Sequence, residues 1–228
     1  RRQRAARGTA ALVRAGSAIP SVEGAAALRH ASLAGDAGEP ALAHLAAAEA
    51  AELAGDAARA EAEYGKLREQ PETVLIGLRG LIGLAEARGD LEAAIALARE
   101  ARKLAPKSPW ASRRLFALEG RAGAFAEAER TLAEAARLKA IPAPEADRLL
   151  AELLLARATA AAAAGEAASA LADATRAHEL DPGLTGAAAL AARLLVRAGR
   201  TPAAERVLTR AWSTHADPVI ARAWIGLA

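Results

Sequence analysis

Cysteine, methionine and asparagine are all missing from this chain of 228 residues. Without thiols there is no disulfide staple, no thiolate nucleophile and no zinc–thiolate site, which fits a reducing compartment. Only six residues are aromatic, Tyr64, Trp110, Phe116, Phe125, Trp212 and Trp224. β-branched residues are too sparse and too scattered to build a sheet. No uncharged stretch approaches the ~20 residues that a membrane-spanning helix requires. The net charge is only +3, acidic residues interrupt the basic runs, and the aromatics stand apart from them. A nucleic-acid surface, with its basic stripe and interleaved aromatics, is therefore not expected.

Alanine and leucine dominate the 53% hydrophobic fraction. Small side chains let helices approach closely, so the expected fold class is all-α. Of the 30 basic residues, only Lys66, Lys103, Lys107 and Lys139 are lysine. Arg1, Arg2, Arg4 and Arg7 crowd the N-terminus. With no initiator methionine before that cluster, the chain reads as a fragment of something longer.

Self-comparison supplies the organisation. Glycines at 55, 89, 123, 165 and 199 each separate two apolar-periodic segments, at intervals of 34, 34, 42 and 34 residues. Five positions after each stands an alanine: Ala60, Ala94, Ala128, Ala170 and Ala204. Twelve positions after come Leu67, Ala101, Ala135, Ala177 and Ala211. The glycine takes the left-handed conformation that ends one helix and turns the chain. Residues seven apart share one helix face, so the alanines mark where the neighbouring helix crosses too closely for anything larger. Pro106 and Pro182, seventeen residues after their glycines, end the second helix.

This period and pattern resemble the tetratricopeptide (TPR) repeat. The resemblance implies an α-solenoid of antiparallel helix hairpins forming a right-handed superhelix. An irregular first hairpin is expected over residues 1–38, broken by Gly16 and Pro20. About five hairpins follow over 39–218, with an insertion near 139–147, where Pro142 and Pro144 suggest an extended connector. Residues 219–228 read as the start of a further helix cut short. An exposed solenoid end needs a cap, so the natural protein is expected to continue.

Three segments, PETVLIGLRGL (71–81), RGDLEAAIALAREARKLAPKSPWA (88–111) and LAARLLVRAGR (190–200), resemble the TPR region of HemY-type bacterial proteins. In that family the TPR region follows a pair of N-terminal transmembrane helices. The family is associated with late protohaem synthesis at the inner membrane. The resemblance therefore implies a scaffold for haem-biosynthesis enzymes on the cytoplasmic face. The arginine cluster would then be juxtamembrane, in keeping with the bias of positive charge toward that face. A generic adaptor with an unrelated protein partner and a direct porphyrin or haem carrier are the alternatives.

No catalytic constellation is visible. His30, His44, His178 and His215 lie on different hairpins without metal-ligand spacing, no phosphate-binding loop is present, and neither enzyme activity nor a metal is expected. No cofactor is expected either; if haem or porphyrin binds, His44 is the candidate axial ligand. Carboxylate pairs such as Glu49 with Glu52 and Glu127 with Glu129 read as solvated helix faces. In TPR arrays the first helix of each hairpin lines a concave groove at positions 2, 5, 9, 12 and 13. That register puts Leu42, Leu45, Arg79, Trp110, Arg113, Arg121, Arg193 and Arg197 in the candidate partner-binding groove. Arginine forks recognise carboxylates bidentately, on a protein or on a porphyrin propionate. Clamps for chaperone tails use lysine and asparagine on these helices, and this chain has neither there.

Overall fold

The computed structural model describes residues 40–226, so the hairpin expected over residues 1–38 lies outside the described residues. The described chain is helical throughout, with no strand. Two compact units divide it, one ending at Leu104 and the other beginning at Ala105. The first contains α1 (Pro40–Leu53), α2 (Ala57–Arg68), α3 (Val74–Ala87) and α4 (Leu91–Leu104). The second contains α5 (Pro109–Arg121), α6 (Phe125–Arg137), α7 (Ala143–Ala163), α8 (Ala167–Leu180), α9 (Thr185–Arg197), α10 (Thr201–Thr214) and α11 (Pro218–Ile225). Within each unit every helix packs on its successor, and in the second α9 also touches α7 and α11. This is the helix-hairpin stacking of an α-solenoid.

The five repeat glycines close the five hairpins in one way. Gly55, Gly89, Gly123, Gly165 and Gly199 have φ between 71° and 82°. After α3, Gly89 N–H donates to Glu86 O at 3.0 Å and Asp90 N–H donates to Ala85 O at 2.9 Å. These paired bonds satisfy the last carbonyls of the helix while reversing the chain. The alanines five and twelve residues later are sealed. Ala60, Ala94, Ala128, Ala170, Ala204, Ala101, Ala135, Ala177 and Ala211, together with Leu67, are all 0% exposed.

Two interior glycines of α3 have a different cause. A Cβ at Gly77 would lie 2.4 Å from the backbone nitrogen of Arg68, so α3 crosses the end of α2 at backbone contact. At Gly80 the Tyr64 ring occupies the space a Cβ would need, again 2.4 Å away. Tyr64 is buried there with Ala48, Ala51, Ala60, Leu67, Leu81 and Leu84.

The insertion near residues 139–147 is resolved differently from the extended connector expected of Pro142 and Pro144. Only a short turn separates α6 from α7, and the inserted residues lengthen α7 to 21 residues, against 13 or 14 for the other first helices of the five hairpins. Pro144 falls in the first helical turn, where a missing N–H breaks no bond. The turn before it repeats the glycine geometry without glycine. Lys139 takes φ 57°; its N–H donates to Ala136 O at 3.0 Å and Ala140 N–H donates to Ala135 O at 2.9 Å.

Two stability tests follow from these backbones. Gly77→Ala is expected to lower stability by ~1 to 3 kcal/mol through overpacking. Gly83→Ala, in the same helix with no atom within 4 Å of the added Cβ, should raise it by up to ~1 kcal/mol from helix propensity. Equal effects in urea unfolding would refute the close crossing. Lys139→Gly should stabilise by ~1 kcal/mol by relieving the left-handed residue, and a lower melting temperature would show that the Lys139 side chain contributes more than its backbone costs.

Candidate functional site

In the second unit the first helices of successive hairpins, α7, α9 and α11, border a groove of about 760 Å³. The α9 sequence presents Gly186, Ala189, Leu190, Arg193, Val196 and Arg197 to it, residues at helical spacing on one face. Gly186 and Ala189 keep one end shallow-walled; a Cβ at Gly186 would meet Leu155 Cδ2 of α7 at 3.3 Å. Leu155 and Thr159 from α7 and Val219, Arg222 and Ala223 from α11 complete the lining. The floor is apolar, and three exposed guanidiniums, those of Arg193, Arg197 and Arg222, stand at it. None of the three is ion-paired among the described residues.

The sequence-derived groove residues are not equivalent. Arg193 and Arg197 lie in the groove just described. Arg113 is exposed but engaged: its Nε and Nη2 donate to the Glu145 carboxylate at 2.5 and 2.8 Å. That hydrogen bond holds the Glu145 carboxyl below its ordinary range. Glu145 comes from the lengthened start of α7, so the insertion supplies the carboxylate that occupies this fork. Arg79, on α3 in the first unit, and Trp110 and Arg121, on α5 in the second, each already have an interaction within the chain. Leu42 is exposed on α1, whereas Leu45 packs against the Tyr64 cluster. Arg222 was missed because α11 follows the last repeat glycine and had no register to place it.

Several acidic groups read as solvated surface instead tie helices together. Glu52 accepts from the Tyr64 hydroxyl at 3.0 Å. Burial, followed by the Glu52 charge, pushes the phenol up. Glu129 of α6 and Asp173 of α8 both bind Arg157 of α7, at 3.3 Å and 2.7 Å, which links three helices of the second unit through one guanidinium. His44 Nδ1 lies 2.6 Å from Glu63 Oε2, so one nitrogen of the candidate axial ligand is already taken.

On the second-helix side, His178 of α8 is 5% exposed and neither ring nitrogen has a hydrogen-bond partner among the described residues. Burial pushes its pKa below the ordinary value and the nearby Arg210 adds to that, outweighing Glu179 and Asp181.

The architecture defines the class: a helical-hairpin repeat with a groove on its first-helix face. Residues 161–225 match the tetratricopeptide repeat family. Among solved structures, the chain is similar to MamA, with a TM-score of 0.53 and 17% identity over 77% of this chain and 92% of that one. It is similar to BtubC (BKLC) from P. vanneervenii, with a TM-score of 0.51 and 16% identity over 85% and 88%. YrrB, described as a TPR protein with an unusual peptide-binding site, gives 0.50 and 18% over 79% and 89%. At such identities the likeness shows the fold. No curated protein matches the sequence.

The His178 geometry carries a pH prediction. Its folded-state pKa is depressed, so the neutral ring is favoured in the native state and the unfolded chain takes up the proton first as pH falls. The melting temperature should drop as pH falls below the ordinary histidine value of 6.5, and His178→Leu should blunt that drop. An unchanged pH profile in the variant would place the acid sensitivity elsewhere.

Proposed function

We propose that the chain is a non-enzymatic repeat scaffold that holds an extended acidic stretch of a partner protein in the groove of α7, α9 and α11. One observation carries this reading: three guanidiniums with no carboxylate partner among the described residues stand over an apolar floor on the first-helix face. Apolar side chains of a bound segment would fill the floor, and its carboxylates would take the arginine forks. The description of YrrB as a peptide-binding TPR protein supports a peptide as the occupant of such an architecture.

The finer reading makes the partner a late protohaem-synthesis enzyme at the cytoplasmic face of the inner membrane, and it rests on the HemY-type resemblance of three segments. No helix among the described residues is long and apolar enough to cross a membrane, so any anchor in this reading lies outside them. Affinity capture of the full-length protein from membranes tests it: recovery of no haem-synthesis enzyme rejects the pathway and leaves the groove untouched.

The groove itself is tested with acidic peptides and their glutamine counterparts, binding being read by fluorescence anisotropy. Arg193→Glu combined with Arg197→Glu should weaken the acidic peptides by about tenfold or more, with unchanged helicity by circular dichroism. Raised salt should weaken them in the wild type. Retention of wild-type affinity by the double variant rejects this groove as the site.

A further inference from the structure

The opposite side of the same hairpins carries a second recess. Ala191 and Leu195, on a different face of α9 from Arg193 and Arg197, floor a groove of about 740 Å³ between α8 and α10. Leu171 and Val207 extend that floor. Its walls carry Arg176, Arg200, Arg206 and Arg210 against one carboxylate, Glu179. None of the four guanidiniums is ion-paired among the described residues. Arg206 and Arg210 are four apart on α10, a like-charge spacing that works against the helix. His178 lines the same groove, buried, with both ring nitrogens unpartnered among the described residues.

The fold gains nothing from this arrangement by itself. Neighbouring cations repel, and a buried imidazole without hydrogen bonds keeps its desolvation cost. The repulsion is relieved by an acidic occupant. We propose that the groove docks an acidic amphipathic helix of a partner protein, with its apolar stripe on Leu171, Leu195 and Val207 and its carboxylates on the four arginines. His178, whose ring nitrogens are closed off from solvent at the groove wall, senses an occupant through the change in its surroundings. An apolar stripe flanked by carboxylates matches an apolar floor flanked by guanidiniums. A flat anionic membrane would leave the recessed floor unfilled. Nucleic acid is disfavoured because no aromatic side chain lines the groove for bases to stack on.

The probe is a synthetic amphipathic helix of leucine, alanine and glutamate, with an analogue in which glutamine replaces glutamate, measured by fluorescence anisotropy against the full chain. Wild-type protein should bind the glutamate peptide and not the analogue. Arg206→Glu with Arg210→Glu should weaken binding by about tenfold or more, and the milder Arg206→Gln with Arg210→Gln by less, both with unchanged circular dichroism. Arg59→Glu with Arg130→Glu, at exposed arginines that line neither groove, should change it by no more than about twofold. The His178 ring resonances should shift on binding in nuclear magnetic resonance spectra. Equal binding of the analogue, equal weakening by the two charge-reversed pairs, or unmoved His178 resonances would overturn the proposal. Vesicles of phosphatidylglycerol form the last arm: if they bind through Arg206 and Arg210 while the peptide does not, the occupant is a membrane and the proposal fails.

Discussion

The separation between packed helices governs everything else in this protein, and alanine sets it. At the positions five and twelve residues beyond each repeat glycine, nine of ten side chains are alanine and all ten are fully buried. A methyl group offers little apolar area, so each such contact contributes modestly by burial alone. What it permits is close approach, which multiplies dispersion contacts along the whole length of both helices. The crossing of α3 over α2 takes the same principle further, to glycine against backbone at Gly77. With so few aromatics, stability rests on many such small contacts, and the core is a chain of local clusters rather than one centre.

A spacing this tight makes the array intolerant of disorder in its connections, which explains the fate of the insertion. Eight extra residues between Gly123 and Gly165 would make a loose connector a poor partner for α6. Extending α7 at its N-terminus instead adds Ala146 to the cluster of Phe116, Ala128, Leu132, Ala135, Ala140, Ile141 and Leu153. The cost is a single left-handed lysine. The same extension brings Glu145 onto Arg113, so a change made for packing also removes one guanidinium from those available to a ligand.

The fold was legible because glycine and alanine act locally: a left-handed turn and a close crossing each demand a particular residue, and the demand recurs every 34 residues. The turn at Lys139 escaped notice because its hydrogen bonds do not require glycine, only tolerate its absence at some strain. Site residues were harder to read because the register says which face a side chain occupies and not what it meets there. Arg113 and Arg193 both fall on the groove face of their repeats, at positions 5 and 9, yet one binds Glu145 and the other faces an apolar groove. The difference lies in a carboxylate on another helix, 32 residues away in sequence. His178 and its orphaned nitrogens were equally invisible, since a histidine next to glutamate on an amphipathic helix reads as surface.

Charge pairing changes character along the chain, and this bears on where partners bind. In the first unit, Arg68 holds Glu100 and Arg88 holds Glu61; in the hairpins that follow, Arg113 holds Glu145 and Arg157 holds Asp173. These arginines bridge helices. From Thr185 to Gly226 there are six arginines, Arg193, Arg197, Arg200, Arg206, Arg210 and Arg222, and two carboxylates, Glu205 and Asp217. Asp217 is committed to capping α11 through Val219 N–H at 2.6 Å. The carboxylates of this segment itself are therefore too few to neutralise the six. An alanine-rich helix pair needs some charge for solubility, but solubility is served by mixed signs as well as by one. A single-sign excess divided between two grooves on opposite faces of α9 is instead the kind of field that would draw and orient the acidic ligands proposed for them, and it is concentrated in the last hairpins.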